Sequence, residues 1–258
     1  MRLLKPIMLL PMRQLKARRR RARFDAICKH CGLKLDYALN NPGVPILEEV
    51  FVQRIYADYF PFYQRISVLD VGGHFGYFAI FAALNSAPGS RIVTVEPSAQ
   101  NWQVLQANVG QMGLDQIRIV HGAVAEHTGT ATVHVTQAHN CSLIADHARE
   151  FAADGALSSE SVQTFSLADM LDQNGFDTVD VLKLDCEGAE YSIIFQSPES
   201  VLRRVKVIMM EFHDLKDEHH SGLTMVEQLE RKGFRVVHFR HLPTTMNLNY
   251  GKIIAVHG

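Results

Sequence analysis

From residue 66 onward, short runs rich in Val and Ile alternate with stretches of helical period. The runs at 66–71, 91–96, 117–121, 179–184 and 205–212 predict strands, because near-continuous apolar runs of this length mark strands covered on both faces. Residues 75–85, 99–109 and 225–232 predict helices, and 130–135 alternates as a half-exposed strand does. Two further strands are predicted at 234–239 and 252–256. Too few residues separate them for a crossover helix, so they predict an antiparallel hairpin at a sheet edge. The whole series predicts an α/β fold with a mostly parallel sheet covered by helices. Upstream, 46–59 predicts a helix with mixed apolar and charged faces. The cluster Asn41-Pro42-Gly43-Val44-Pro45 predicts a turn and a domain boundary. Residues 137–161 show no period and are expected to form the longest irregular stretch, a lid near the strand ends.

Composition alters this picture little. The chain has 258 residues, 47% hydrophobic and 21% charged, an ordinary globular balance. No apolar run approaches the roughly 18 residues of a membrane span. Of four cysteines only Cys28 and Cys31 form a Cys-x-x-Cys pair. A disulfide framework or zinc ribbon is therefore not expected, and a reduced, cytoplasmic setting is. Charge alters it more. Residues 1–24 carry nine Lys or Arg and no acid, which leaves 17 basic and 27 acidic side chains on the rest. The apolar stretch 7–12 is broken by Pro11, and the first serine is Ser67, so neither a secretory signal nor a transit peptide fits. The expected organisation is a basic arm and linker over 1–45 and a main domain over 46–258 with a helical lead-in at 46–65. The arm is a solvated tail or, on a sharper reading, a contact for an anionic membrane surface or for nucleic acid.

Chemistry gathers at the predicted strand ends. The first strand runs into Asp70-Val71-Gly72-Gly73-His74-Phe75-Gly76, and a helix follows. Glycines there let the backbone approach a ligand beside a helix N-terminus. An acid two residues before the first glycine would repel a pyrophosphate. It suits a cofactor that is cationic and lacks phosphate, such as S-adenosylmethionine. The second strand ends at Glu96, where a carboxylate can accept hydrogen bonds from ribose hydroxyls. The string Lys183-Leu184-Asp185-Cys186-Glu187-Gly188-Ala189-Glu190 brings three carboxylates to one turn, and Glu211-Phe212-His213-Asp214 ends the next strand. Asp185, Glu187 and His213 are the candidates for a general base, His213 because its ordinary pKa lies nearest neutrality. The alternatives are capping of the following helix by Asp185 and Glu187, and a merely packed His213. Lys183, two residues before Asp185, would favour its charged form. A raised pKa is expected for the Cys186 thiol between two acids. These clustered acids with a histidine could also bind a divalent metal, but the sequence does not require one and none is expected. The remaining histidines, His147 among them, show no ligand spacing and are read as surface histidines. Phe51, Tyr56, Tyr59, Phe60, Phe62 and Tyr63 either cap a pocket or pack a helix on the sheet.

The segments 68–78, 94–101, 181–190 and 207–213 closely resemble the FkbM family of S-adenosylmethionine-dependent methyltransferases. The likeness runs in order from about 66 to 256, includes Gly129-Thr130-Ala131 and Ser142-Leu143, and does not cover 1–40. It implies a class I methyltransferase, Rossmann-like fold with seven strands in the order 3-2-1-4-5-7-6. It also implies a cofactor site at Asp70, Gly72, Gly73, Gly76 and Glu96. His74 stands where the family commonly has asparagine and is carried as a contact to the cofactor's carboxylate. The implied reaction is O-methylation of a hydroxyl on a sugar, glycan or natural-product acceptor. A lipid-linked acceptor would place the chain peripherally at a membrane. An RNA-directed protein using the arginine-rich arm is the alternative.

Overall fold

The apolar runs become the strands of one seven-stranded sheet. In this computed structural model residues 12–136, 140–151, 157–215, 217, 219–243 and 249–258 are described. Three helices lead in: α1 (Met12–Cys31), α2 (Tyr37–Asn40) and α3 (Val44–Phe51). Then follow β1 (Ser67–Val71), α4 (Tyr77–Leu84), β2 (Arg91–Glu96), α5 (Ala99–Met112) and β3 (Ile117–His121). A second sheet is built by β4 (Ala123–Val124), β5 (Gly129–Thr136), β6 (Cys141–Ser142) and β7 (Leu157–Phe165), with α6 (Ala145–Phe151) between the last two. The chain closes with α7 (Leu167–Gln173), β8 (Val179–Leu184), α8 (Glu190–Gln196), α9 (Glu199–Leu202), β9 (Val205–His213), α10 (Gly222–Arg231), β10 (Phe234–Pro243) and β11 (Asn249–His257).

The large sheet runs β10-β11-β9-β8-β1-β2-β3. Counting its own strands along the chain, that order is 3-2-1-4-5-7-6, as the resemblance implied. All pairs are parallel except those of β11, which lies antiparallel between β9 and β10. Alternation along the strands divides the core in two. Leu69, Val93, Leu182 and Ile208 face one side with the helices α7, α8 and α10. Val68, Ile92, Val181 and Met209 face the other with α1, α3, α4 and α5. Every parallel strand delivers its carboxyl end to one edge, and the crevice above β1 is where the strand order reverses.

Three expectations change. In the described part of the basic arm and linker, 12–45, residues 14–23 are exposed, but from Phe24 onward the chain packs into the main domain. Phe24, Ile27, Cys28 and Leu33 lie in the same core cluster as α4. The Asn40 and Asn108 amides exchange hydrogen bonds of 2.8 Å, and the Tyr77 hydroxyl donates to Asn40 at 2.8 Å. A boundary at residue 45 would cut through this core. The apolar residues at 1–11 lie outside the described residues. The helix expected over 46–59 stops at Phe51, with Val52 as its C-cap, and Arg54 at φ 53 in the left-handed region then turns the chain off a helical path. The stretch 137–161 is not irregular where described. β6 and the start of β7 pair with the two sides of β5, and α6 packs beside them. Its polar, alternating residues suit a half-exposed sheet and hid a regular period. No helix among the described residues is long and apolar enough to cross a membrane.

Candidate active site

Strand register assembles the first part of the site. Asp70 on β1 pairs with Thr94 on β2 and with Lys183 on β8. Asp70 is wholly buried, accepts from the Thr94 hydroxyl at 2.8 Å and meets the Lys183 ammonium at 3.1 Å. Burial pushes its carboxyl up, and the lysine opposes that shift. Lys183 also donates to the Gly72 carbonyl at 2.7 Å. Asp70 therefore lies beneath the glycine turn and braces it; its side chain does not line the cleft.

The turn itself needs glycine. Gly72 has φ 80, and a Cβ there would lie 1.8 Å from the Asp185 carbonyl oxygen. At Gly73 a Cβ would lie 2.2 Å from the Thr94 hydroxyl. Gly76, φ 82, starts α4. His74 takes φ 48, a region that Asn, Asp and His enter more readily than other side chains. Histidine for asparagine thus preserves the backbone, whose N–H donates to Glu96 at 2.7 Å.

Glu96 is 1% exposed. One carboxylate oxygen accepts from His74 N; the other accepts from Ser98 N at 2.9 Å and Asn101 Nδ2 at 3.2 Å, with Cys141 Sγ at 3.5 Å. Burial pushes its carboxyl up to about 7 against these donors. Gly72, Gly73, His74 and Glu96 line a cleft of about 970 Å³, with Ala123 and Val124 as an apolar wall beside Glu96. An aimed carboxylate, a close-approach backbone and an apolar wall fit the ribose, the amino-acid tail and the adenine of S-adenosylmethionine.

Beyond this wall the cleft is acidic. Asp185 follows β8, is partly open to the cleft and lies 3.7 Å from Lys183. Burial raises its carboxyl pKa in spite of that lysine. Capping does not explain Asp185 or Glu187. The α8 N-cap is Ala189, with no side-chain cap. Glu190 instead accepts the N–H groups of Cys186 and Gly188, each at 2.8 Å. Burial pushes the Cys186 thiol well up, with Glu190 and Asp185 adding to it. Glu187 has φ 53 and accepts from Asn140 Nδ2 at 3.0 Å. His213 Nε2 lies 3.4 Å from Glu187 Oε2, and its Nδ1 lies 3.3 Å from Glu190 Oε1.

The structure thus brings Asp185, Glu187 and His213 together but changes the role expected of the imidazole. Burial pulls the His213 pKa down, yet Glu187, Glu190 and Glu211 outweigh it and hold the ring protonated well above its ordinary range. Such a ring is a poor base at neutral pH.

Two residues were missed. Glu211 lines the cleft 3.8 Å from His213, and burial with the Asp185 charge pushes its carboxyl up. The signal was present: residues two apart on one strand share a face. His147, read as a surface histidine, is 4% exposed and lies 3.4 Å from Glu187. Nothing in the sequence foretold that α6 would carry it there. Of the aromatic set, Tyr56, Phe60 and Phe62 pack edge-on against α4 rings, and Tyr56 also lines the cleft.

The strand order, the glycine turn and the acid at the end of β2 define a nucleoside-cofactor domain of the class I methyltransferase kind. The family model of the methyltransferase FkbM domain matches residues 70–236. The chain belongs to that family of S-adenosylmethionine-dependent methyltransferases. It is 25% identical over 226 residues to the AMB antimetabolite synthetase AmbE of Pseudomonas aeruginosa, across 74% of this chain and 10% of AmbE. It therefore spans only a tenth of that relative's length. Over 205 residues it is 23% identical to Methyltransferase 1 of Beauveria bassiana, across 74% of this chain and 80% of the relative. Among solved structures, the precorrin-6y C5,15-methyltransferase of Geobacter metallireducens aligns with a TM-score of 0.47 and 17% identity, over 80% of this chain and 88% of that one.

Proposed function

We propose that the chain methylates a hydroxyl on a sugar, glycan or natural-product acceptor, with Asp185 taking the hydroxyl proton. The observation that carries this reading is the Asp185 carboxylate, partly open to the cleft at the end of β8 beside the glycine turn. The cleft there continues among polar side chains, Glu49, Arg54, Tyr56, Glu211, Tyr250 and Lys252, which suit an acceptor bearing several hydroxyls. Bound S-adenosylmethionine supplies the methyl group: the acceptor oxygen forms the new C–O bond, the S–C bond breaks with its electron pair returning to sulfur, and the proton passes to a carboxylate. The carboxyl pKa raised by burial makes Asp185 a better proton acceptor than a solvated aspartate. His213, Glu187 and Glu190 form a held group beside it, suited to positioning.

The test is transfer of labelled methyl from S-adenosylmethionine to fractionated glycans, lipids and RNA, followed by product analysis. O-methylated glycan or lipid product is expected. Asp185→Asn should lower kcat by roughly 100- to 10,000-fold, the range for a placed base, while S-adenosylhomocysteine affinity changes little. Methyl groups found only on RNA, or full turnover by the variant, would refute the assignment.

The exposed cations of α1, Lys16, Arg18, Arg19, Arg20 and Arg21 among them, suit peripheral contact with an anionic membrane bearing the acceptor. Co-sedimentation with anionic vesicles, lost at high salt, is the expected result; equal sedimentation with neutral vesicles would exclude it.

A further inference from the structure

We propose that His147, Glu187 and His213 form a binding site for one divalent first-row transition ion, of which Zn2+ is the reference. Three elements bring them together: α6, the turn after β8 and the end of β9. Their ligand atoms lie within 4.8 Å of one another. Both imidazole Nε2 atoms approach the same carboxylate oxygen, Glu187 Oε2, at 3.4 Å. That separation is longer than the ~2.7–3.2 Å usual for an N–H···O hydrogen bond. It is the edge of a tetrahedral site: two ligands bonded at about 2.1 Å and subtending a tetrahedral angle stand about 3.4 Å apart. Glu187 Oε2 is buried and accepts no hydrogen bond among the described residues.

The surroundings are those of a ligand set. Glu190 Oε1 stands 3.3 Å from His213 Nδ1. A carboxylate on the far nitrogen fixes the ring, and an ion displacing the Nε2 proton would find that nitrogen's lone pair directed inward. Asn140 holds the second oxygen of Glu187, and the Ser142 hydroxyl donates to the Glu187 carbonyl at 2.6 Å. The Glu187 backbone is held at φ 53, a strained conformation in a non-glycine residue of the kind that gathers at functional sites. Two imidazoles and one carboxylate favour zinc, iron or manganese over magnesium or calcium, which prefer oxygen donors. With three protein ligands the ion keeps an open position, at which an acceptor oxygen could bind and lose its proton more readily. That role rests on the hydroxyl-acceptor reading; ion binding does not.

The test therefore uses the metal alone. The full chain is stripped with a chelator, dialysed, and titrated with Zn2+ by calorimetry and with Co2+ by visible absorption. The expected result is one ion per chain and the absorption bands of a low-symmetry, histidine-bound Co2+. His147→Ala should remove the bands and weaken Zn2+ binding at least roughly a hundredfold, while His127→Ala, at an exposed histidine, changes neither. Circular dichroism and S-adenosylhomocysteine binding show that the variant is folded. His147→Gln, which keeps most of the buried volume, repeats the measurement without the cavity. No stoichiometric ion in the natural chain, or binding unchanged in His147→Ala and Glu187→Gln, would overturn the proposal.

Discussion

Replacing Glu96 by glutamine should remove a pH dependence from cofactor binding. The carboxyl is buried and holds its proton up to about 7, against a starting value of 4.5. Ribose hydroxyls donate to the charged form, so binding competes with protonation. A single group with pKa near 7 is about one-eleventh ionised at pH 6 and about ten-elevenths at pH 8. Affinity for S-adenosylhomocysteine should therefore rise about tenfold between those pH values in the natural protein. Both carboxylate oxygens already accept a backbone N–H, from His74 and from Ser98. The glutamine amide must turn its NH2 toward one of these donors, which costs about 1–3 kcal/mol. At pH 8 the variant also loses charge-assisted bonds to ribose worth roughly 1.5–3 kcal/mol, about a 10- to 100-fold weakening. Calorimetric titrations of both proteins at pH 6, 7 and 8 measure this. Titration of the ligand's own groups is common to both proteins, so the difference reports Glu96. Stability has the opposite sign. The folded state binds the extra proton between pH 4.5 and 7, so stability is full below 4.5 and falls by about 3 kcal/mol as pH rises through 7. Identical pH dependence in Glu96→Gln and the natural protein would refute the reasoning.

Other outcomes follow from the packing around the turn. Lys183→Met leaves Asp70 buried without its cation, so thermal denaturation should show a loss of about 3–5 kcal/mol. Adding Asp70→Asn should recover much of it; no recovery would mean that the lysine acts through its bond to Gly72. Gly72→Ala places a methyl group 1.8 Å from a carbonyl oxygen at φ 80, so it should sharply lower both the melting temperature and cofactor affinity. A melting temperature close to the natural protein's would contradict the geometry of the turn.

The large sheet was legible because each strand had to be apolar on both faces. Val68 and Leu69, like Val181 and Leu182, bury neighbouring residues on opposite faces of the sheet, and such short runs between helical stretches are the mark of its strands. Glu96 was legible because a strand end fixes the position of one acid. Of the second sheet only β5 was legible, by its alternation at 130–135; β6 and β7, rich in Ser, Glu, Gln and Thr, resemble loop. Asp70 was placed on the correct strand, but a charged residue within a strand gives no sign of which way it faces. Register decided that, by setting Lys183 opposite it. His213 was found, but the Glu187 and Glu190 carboxylates that hold its charge come from the turn and helix after another strand, and only the fold sets them against the ring. His147 belongs to a different sheet system, and only the tertiary fold brings it to Glu187.

The asparagine clasp between Asn40 and Asn108 makes the transferable unit larger than the recognisable one. The family model starts at residue 70, yet among the described residues the buried core starts at Phe24. Grafting residues 70–236 into another protein would strip the sheet of Phe24, Leu47 and Val50. It would also leave Tyr77 and Asn108 without their partner on α2. A recombination cut at those bounds would yield a domain open along one face and without β11, the strand between β9 and β10. One that carries the lead-in helices and the last hairpin with it would travel with its own lining, as a cassette rather than a fragment.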